Sequence, residues 1–393
     1  MTELRIMHIA PTPFFSDRGC HIRIEGIVRS LSELGFQNTV CTYHHGREVA
    51  TVQTIRIKAI KNYTQTEAGP SKYKLWADWR LLWLCLKQYR KSKPAVIHAH
   101  LHEGLLIGWL VKTVFFWRKT PLLADMQGSL TGELSEHGSF AGKDWLRRLS
   151  GWFERVLMRM PDQIICSSPQ SQELLALAFG LPVEDIVLVQ DGADAVQALS
   201  NDQRSELKQK LSLPANKVIA VYSGALLEGK GLPALKEVLL ACKDEPHIHF
   251  LIIGYPVENL HPFLVQNDLD ERCTLTGRVA FEVLPAHLAL AAVALEPKNS
   301  GAGEGSGKLL NYLAAGLPVI AFDNRNNADF LPAGAPLAVN VEQFTAQLQL
   351  LAQDAGLRGD LGANNRLHFE QNYSWGTTRK QLKVAYDALL ERS

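Results

Sequence analysis

The sequence predicts an α/β protein made of two doubly wound parallel sheets in tandem. Apolar, strand-like runs alternate with helical periodicity along nearly all of the chain. A polar stretch at 196–216 divides this alternation into two series, and 393 residues are enough for two domains that each bury a core. Because ligands bind at the carboxyl ends of parallel strands, we expect a site in a cleft between the two domains.

The first series starts with the buried strand "ELRIMHIAP" at 3–11. Helical periodicity then runs from His21 to Leu34, and a second strand starts at 37, which makes a parallel βαβ unit. Further strands are predicted at 52–60, 95–100, 121–128, 162–168 and 185–194. Helices are predicted between them at 74–91, 103–117, 143–159 and 169–180.

The second series follows a short helix within the polar stretch. Its strands are predicted to start at 217, 248, 273, 293 and 318, with helices at 281–292 and after the glycine-rich segment 301–308. An amphipathic helix at 376–392 ends the chain. We therefore expect one domain at 1–195 and a second at 196–375.

Bulk properties exclude several classes of protein. The net charge of +1 argues against nucleic-acid binding. The six cysteines are scattered without a C-x-x-C pair, so we expect neither a zinc site nor disulfides, as in a reducing cytoplasm. No basic, apolar leader begins the sequence, and the longest apolar run, 105–117, is interrupted by Lys112. We expect a cytoplasmic protein without a signal peptide or a membrane-spanning helix.

Charge and tryptophan are concentrated in one region. Residues 72–160 hold 15 Lys and Arg against 7 Asp and Glu, and also seven of the eight tryptophans. Such a region suits an anionic membrane surface, and we expect peripheral contact there, at the inner face of the membrane. An alternative is a core-facing helix, because Trp76, Trp79 and Trp83 recur at i, i+3 and i+7.

The segment "GAGEGSGKLLNYLAAGLP" at 301–318 resembles the phosphate loop of an ATPase only superficially. An ATPase loop has a glycine five positions before Gly307, where this sequence has Ala302, and Ser or Thr where it has Leu309. The loop still follows a strand and opens a helix, so its bare amides and Lys308 favour an anion. A surface loop without a ligand is the alternative.

Several motifs together resemble the retaining glycosyltransferases of family 4, which have the GT-B fold of two Rossmann-like domains facing a cleft. "KLLNYLAAGLPVIAF" is similar to the family pattern K-L-x-E-Y-M-A-A-G-x-P-V-V-A. "RIMHIAPTPFFSDRGC", "AVIHAH", "IICSS", "VQDGAD", "VYSGALLEGKGL", "FLIIG", "LTGRV" and "YSWGTTRKQLKVAYDALL" match other family segments in order. The resemblance covers essentially the whole chain. It implies an acceptor-side first domain, with helix 376–393 crossing back onto it, and a second domain that binds a nucleotide sugar.

The resemblance implies a donor site in the second domain. Amides near Ser306 and Gly307 would hold the diphosphate, and Lys230 and Lys308 would neutralise it. The family's two glutamates fall on Glu304, one residue out of spacing, and on Asn311, an amide where the family has an acid. Other expected donor contacts are Gly224, Arg278 and Gln127, the last in place of a family histidine. Ala225 replaces a phosphate-binding arginine.

The implied reaction retains configuration and uses neither a metal nor a cofactor. The substrate would be a UDP- or GDP-linked sugar, whose leaving diphosphate is stabilised by lysines and a helix N-terminus. No general base is identified, since in this class the leaving phosphate can itself accept the proton.

Acceptor-side residues are expected in "SDRGCHIR", on the first turn between strand and helix. Asp17, Arg18, Gly19 and Arg23 would meet the acceptor, or they would form a capped helix start with surface arginines. His100 is a further acceptor-side candidate. His98, His100 and His102 alternate, so on a strand they would share one face, although the resemblance implies no metal.

Two functions remain open. One is a hexosyltransferase that acts on a glycan or lipid-linked acceptor in cell-envelope or surface glycan synthesis. The other is a catalytically degenerate relative that only binds a sugar nucleotide or glycan, for which Asn311 and Ala225 argue.

Overall fold

Two parallel sheets organise the chain, each in its own unit. The computed structural model describes residues 4–66, 71–126, 144–299 and 306–392. The first unit contains the described residues up to Gly192 together with those from Trp375 onward, and the second contains those from Ala193 to Ser374. The chain thus leaves the first unit and returns to it for its last helix.

The first unit contains, among its described residues, a seven-stranded sheet in the order β3-β2-β1-β4-β5-β6-β7. Every neighbouring pair is parallel. The order reverses between β1 and β4, and ligands of such sheets bind at this kind of reversal. The strands are β1 (Arg5–Ala10), β2 (Gln37–Thr42), β3 (Thr54–Arg56), β4 (Val96–His100), β5 (Leu122–Met126), β6 (Gln163–Cys166) and β7 (Ile186–Leu188).

Helices cover both faces of this sheet, which explains why its central strands are buried along almost all of their length. Capping residues mark both ends of one of these helices. The side chain of Ser168 caps the helix that begins at Pro169, and Gly180 ends it with φ of 64°. The helices before the boundary are α1 (Gly19–Glu33), α2 (Lys74–Ser92), α3 (Leu101–Val114), α4 (Asp144–Leu157) and α5 (Pro169–Phe179).

The second unit contains a six-stranded parallel sheet in the order β10-β9-β8-β11-β12-β13 within its described residues. Its core lies in two apolar clusters, one on each face of the sheet. The strands are β8 (Val218–Ser223), β9 (Ile248–Ile253), β10 (Cys273–Leu275), β11 (Val293–Glu296), β12 (Val319–Phe322) and β13 (Leu337–Ala338).

Eight helices of the second unit are described. They are α6 (Asn201–Lys210), α7 (Leu232–Ala241), α8 (His261–Gln266), α9 (Leu284–Leu288), α10 (Gly307–Ala314), α11 (Arg325–Phe330), α12 (Val341–Gln353) and α13 (Ala355–Asn372). Helices α6, α9 and α10 were predicted from the sequence, whereas α7, α8, α11, α12 and α13 were not. Gly356, Gly359 and Gly362 lower the helix propensity of α13, which packs against α10.

The last helix, α14 (Trp375–Glu391), belongs to the first unit and packs against α1. A Cβ on Gly26 would lie 1.9 Å from the Trp375 ring, so only glycine lets the indole lie against α1. Leu382, Tyr386 and Leu389 are buried in the same apolar cluster as Ile6 of β1. This helix therefore completes one face of the first sheet.

The exposure of the tryptophans on α2 decides between the two interpretations of this region. Trp76, Trp79 and Trp83 are 50%, 50% and 57% exposed, so the core-facing interpretation is wrong for them. The buried stripe of α2 is instead Ala77, Leu81, Cys85 and Tyr89, at i, i+4, i+8 and i+12. Both stripes have a helical spacing, and the sequence alone did not show which of them faces the sheet.

Candidate functional site

The entrance of α10 lies at the carboxyl edge of the second sheet. Strand β11 ends at Glu296, and α10 begins at Gly307 after Ser306, whose side chain makes no capping hydrogen bond. Gly307 is exposed, and a Cβ on it would meet nothing within 4 Å. Within the described residues, no side chain caps the first amides of α10, which suits the binding of an anion there. Asn311 is half-buried one turn further on, whereas Glu304 lies outside the described residues.

Lys308 is held in place at this entrance. Its Nζ lies 2.7 Å from Oε1 of Glu296 and 5.0 Å from the centroid of the Tyr222 ring. A Cβ on Gly224, which has φ of 146°, would come within 3.0 Å of Lys308 Cδ, so the glycine leaves room for the lysine stem. Lys308 thus lies at the helix entrance, paired with an acid that the sequence did not mark, and its role as a phosphate-binding cation stays a prediction.

The turn after β8 brings another lysine to the same edge. Lys230 is exposed at the end of a short 3-10 helix, Glu228–Lys230, and Gly231 follows with φ of 93°. A Cβ on Gly231 would lie 2.8 Å from the backbone nitrogen of Lys298. The turn therefore packs directly against the end of β11. Lys230, Lys298 and Lys308 all belong to this strand edge, because β8 and β11 are neighbours.

A buried tyrosine joins α10 to β8. The phenol oxygen of Tyr312 accepts hydrogen bonds from the backbone N–H of Ser223, at 2.7 Å, and from its hydroxyl, at 3.2 Å. Burial, with the nearby Glu296 charge, raises the pKa of Tyr312 well above its ordinary value, so the phenol stays protonated. Tyr312 and Ser223 fix the helix entrance relative to the Gly224 turn. Both residues lie in segments that resemble the family, but nothing local showed that they would meet.

The remaining donor-side residues lie at separate places. Arg278 is exposed beyond β10, with its guanidinium 4.8 Å from the centroid of the Tyr255 ring. Gln127 lies outside the described residues, directly after β5 of the first unit.

The predicted acceptor-side turn is tied down by its own contacts. Asp17 has φ of 52° and pairs with Arg47 at 2.9 Å. Arg18 precedes α1 without capping it through its side chain, and its Nη1 donates to the carbonyl oxygen of Thr66 at 3.2 Å. Gly19 is exposed. The interpretation as a helix start capped by a side chain is therefore wrong, whereas contact of this turn with an acceptor stays a prediction.

Arg23 does not lie at the surface. It is 2% exposed, with ion pairs to Asp125 at 2.7 Å and to Asp191 at 2.6 Å. Its Nη1 also donates to the carbonyl oxygen of Val189 at 2.9 Å. A buried guanidinium is stable only with such partners, so Arg23 joins α1 to the ends of β5 and β7. The predicted contact of Arg23 with an acceptor is corrected accordingly.

The carboxylates around Arg23 have opposite pKa shifts. Burial raises the pKa of Asp191, and Arg23 only partly opposes this. Burial would also raise the pKa of Asp125, but Arg23 and His100 outweigh it and hold that pKa well below its ordinary value. Asp125 is therefore firmly ionised.

His100 is fully buried, so its predicted contact with an acceptor is also corrected. In the sheet it lies opposite Asp125, and its Nδ1 is 3.0 Å from an Asp125 carboxylate oxygen. The alternating pattern breaks after His100. Leu101 has φ of 63°, which ends the strand, and His102 lies in α3 with its Nε2 2.9 Å from Glu154. The three histidines therefore do not share a strand face.

The hydrogen bonds around His8 determine where the protons lie. Its Nε2 is 3.0 Å from Oδ1 of Asn38, which can only accept, because the Asn38 amide nitrogen donates to the carbonyl of Phe36. Burial lowers the pKa of His8 to about 3, so its Nδ1 carries no proton. That Nδ1 lies 3.1 Å from Nε2 of His100, whose Nδ1 already donates to Asp125. This contact joins β1 to β4 inside the first unit.

His8, His98 and His100 form the one group of candidate metal ligands within the described ranges, with ligand atoms within 4.8 Å of one another. His98 and His100 are stacked, with centroids 4.4 Å apart and planes 20° from parallel. Stacked imidazoles direct their lone pairs side by side instead of towards one point. The geometry therefore fits a buried histidine cluster, with His98 packed on the His8–His100 contact, better than a metal site.

No helix within the described parts of the chain is long and apolar enough to cross a membrane.

The sequence and the fold are similar to those of known glycosyltransferases. Residues 18–192 match the glycosyl transferase 4-like domain, and residues 217–354 match the glycosyl transferases group 1 domain. No curated protein sequence matches the chain.

Solved structures extend the similarity to the whole chain. Sucrose-phosphate synthase from Thermosynechococcus elongatus has a TM-score of 0.82 at 18% identity, over 100% of both chains. HepE of Anabaena, solved with UDP-glucose, has a TM-score of 0.77 at 16% identity, over 98% of this chain and 100% of that one. WaaG, a glycosyltransferase involved in lipopolysaccharide biosynthesis, has a TM-score of 0.69 at 11% identity, over 96% of this chain and 99% of that one.

These matches confirm the predicted fold class and the family resemblance. The chain belongs to the glycosyltransferases that combine a glycosyl transferase 4-like domain with a glycosyl transferases group 1 domain, and its fold is GT-B.

Proposed function

We propose that this chain transfers a hexosyl group from a UDP- or GDP-linked donor to a saccharide or lipid-linked acceptor, with retention of configuration. The observation that carries the proposal is the uncapped entrance of α10, at a strand edge that also holds Lys230, Lys298 and Lys308. In a chain of this family, such an edge suits the diphosphate of a sugar nucleotide. The product would belong to a cell-envelope or surface glycan.

The chemistry follows from charge. The bond between the anomeric carbon and the phosphate oxygen breaks, the acceptor oxygen bonds to the same face of the sugar, and the leaving phosphate takes the acceptor's proton. Amides at Gly307 and Lys308, with the ammonium of Lys230, stabilise the negative charge that develops on the diphosphate. These groups supply the positive charge that a metal provides in other transferases, so the proposal includes neither a metal nor a cofactor.

UDP-glucose is the first donor to test, because the HepE structure contains it. The experiment measures the melting temperature with UDP, GDP, ADP and their glucose or mannose conjugates. It then measures transfer or hydrolysis of the radiolabelled sugar from each nucleotide that stabilises the protein. Stabilisation with turnover supports the transferase, and absence of stabilisation by every nucleotide contradicts it.

A binding-only relative is the second candidate. Asn311 is an amide where a carboxylate would bond the ribose more strongly, Ala225 carries no charge, and Glu296 already neutralises Lys308. Stabilisation by a nucleotide without any turnover, across a panel of donors and acceptors, would favour this candidate.

The acceptor side carries an unusual apolar surface in the first unit. Helix α2 packs against α3, and α3 against α4, and their outer faces expose large side chains. We call this the tryptophan surface, and it consists of Leu75, Trp76, Trp79, Trp83, Phe116, Trp117, Trp145, Leu149 and Trp152.

Basic side chains accompany the tryptophan surface. Arg80 lies 5.2 Å from the centroid of the Trp76 ring, and residues 72–160 carry an excess of Lys and Arg. Indole rings beside basic groups bind the headgroup region of anionic membranes. The proposed acceptor is therefore lipid-linked, and the proposed place of action is the cytoplasmic face of a membrane.

A further inference from the structure

The second unit contains a buried carboxylate that the proposed chemistry does not use. Glu296, the last residue of β11, is 1% exposed. Its Oε1 accepts hydrogen bonds from Lys308 Nζ, at 2.7 Å, and from the backbone N–H of Lys298, at 3.1 Å. Its Oε2 is buried without a hydrogen-bond partner among the described residues. A buried acid beside an anion site opposes anion binding, so its presence there requires an explanation.

The position of Lys308 depends on this acid. A lysine side chain is long and flexible, and confining it costs conformational entropy. Here Oε1 of Glu296 holds the ammonium, the Tyr222 ring covers one side of it, and the bare backbone at Gly224 accommodates the stem. The ammonium is thus fixed next to the first amides of α10, but its charge is balanced.

We infer that Glu296 is a positioning residue that holds Lys308 at the nucleotide site and, by balancing its charge, limits how tightly the site retains the nucleoside diphosphate product. This inference rests on the proposed function. The amides of α10 and Lys230 attract the diphosphate. The Glu296–Lys308 pair adds the N–H donors of Lys308 in a fixed position, but it contributes little net charge. A site with the full charge of Lys308 would hold the product longer, and product release sets the turnover of many enzymes.

The test is the variant Glu296→Gln. The amide oxygen still accepts from Lys308 and from the Lys298 N–H, so the shape is kept while one negative charge is lost. We expect UDP or GDP, whichever binds the wild type, to bind roughly 3- to 30-fold more tightly, as one unit charge at this range predicts. We also expect lower kcat and stronger product inhibition at an unchanged or lower KM. Titration calorimetry measures the affinity for the nucleotide, and steady-state kinetics measure kcat, KM and product inhibition.

Two further variants test whether the change in nucleotide affinity comes from the charge at this site. Lys308→Met should weaken binding of the same nucleotide. Glu271→Gln, which removes an exposed acid just before β10 begins, at the opposite edge of the sheet, should change binding less than twofold, since exposed distant charges are screened. If Glu296→Gln does not fold, Glu296→Asp retracts the charge by one methylene and should tighten binding by a smaller factor.

Two results would overturn the inference. Weaker binding by Glu296→Gln, in parallel with Lys308→Met, would mean that Glu296 only supports the fold around Lys308. A wild type that binds neither nucleotide would overturn the proposed function together with this inference. The first result leaves the proposed function intact, so the two failures are distinguishable.

Discussion

Lys230 is the side chain on which the proposed chemistry depends most. It lies exposed on the turn that Gly231 packs against Lys298, so its removal should leave the fold unchanged. We expect Lys230→Ala to lower kcat/KM by about 100- to 1,000-fold, as the loss of one group that stabilises a developing charge does. Turnover of the donor found in the nucleotide panel measures this.

A matched control for Lys230→Ala is Lys243→Ala, which removes an exposed lysine elsewhere in the second unit. This variant should keep wild-type turnover. Equal turnover of the Lys230 variant and the wild type would remove Lys230 from the phosphate site.

Two buried histidines make the stability of the first unit depend on pH. Burial lowers the pKa of His8 and of His21 to about 3, against an ordinary value of 6.5. Between these values the unfolded chain binds more protons than the folded one, so the free energy of unfolding rises with pH. We expect each histidine to contribute roughly 1.4 kcal/mol per pH unit from about pH 3 to 6.5, with no further gain above that range.

Tryptophan fluorescence measures this effect selectively, because all eight tryptophans belong to the first unit. Urea unfolding followed by fluorescence at pH 4, 5, 6 and 7 gives the slope. The variant His21→Asn should reduce the slope by roughly 1.4 kcal/mol per pH unit, which is the contribution expected of one histidine. A slope that is flat or reversed over this range would contradict the prediction.

At the scale of elements, α2 and α4 present the tryptophan surface for which a membrane partner is proposed. Replacing Trp76, Trp79 and Trp83 together by Ser should abolish flotation with anionic liposomes while the melting temperature stays close to that of the wild type, because all three are at least half exposed. A lipid-free assay with a soluble acceptor should show little change.

The control for this surface is Leu177→Ser, which removes an 84% exposed leucine on α5. It should float as the wild type does. Equal flotation of the triple variant and the wild type, or no flotation of the wild type at low salt, would contradict the membrane proposal.

Helix α13 provides a matched pair of glycines. A Cβ on Gly362 would lie 2.4 Å from the carbonyl oxygen of Gly316, whereas one on Gly359 would meet nothing within 4 Å. Gly359→Ala should therefore stabilise the second unit by up to about 1 kcal/mol through helix propensity. Gly362→Ala should destabilise it by about 1–3 kcal/mol, because backbone must move. Calorimetry compares the two, and equal effects would show that the α13 contact with the Gly316 turn tolerates a methyl group.

At the scale of the whole molecule, the order of strands and helices was largely readable from the sequence, because parallel βα units alternate apolar runs with helical periodicity. Lys230, Ser306 and Lys308 were also marked in the sequence, since a glycine turn and a helix entrance leave local signals, and their role at a nucleotide site stays a prediction. The partners of these residues did not follow. Glu296 and Tyr312 come from separate segments, and only the sheet brings them to Lys308 and Ser223.

The acceptor-side errors have the same origin. Arg23 and His100 are polar residues in motifs that suggest a binding role, and nothing local reveals that Asp125 and Asp191 meet them inside the protein. In a single sequence, an arginine of a buried ion pair cannot be distinguished from an arginine that binds a ligand. Likewise, the two helical stripes of α2 differ only in which of them the sheet covers.

The return of α14 to the first unit also affects how the chain is made. A ribosome delivers the seven described strands of the first unit before any of the second unit, but Tyr386 and Leu389, which close one face of that sheet, follow the whole second unit in the chain. Until they are translated, Ile6, Ile27 and their apolar neighbours lack their cover. The first unit is therefore completed only after the second has been synthesised, and in the meantime its apolar face is open to aggregation.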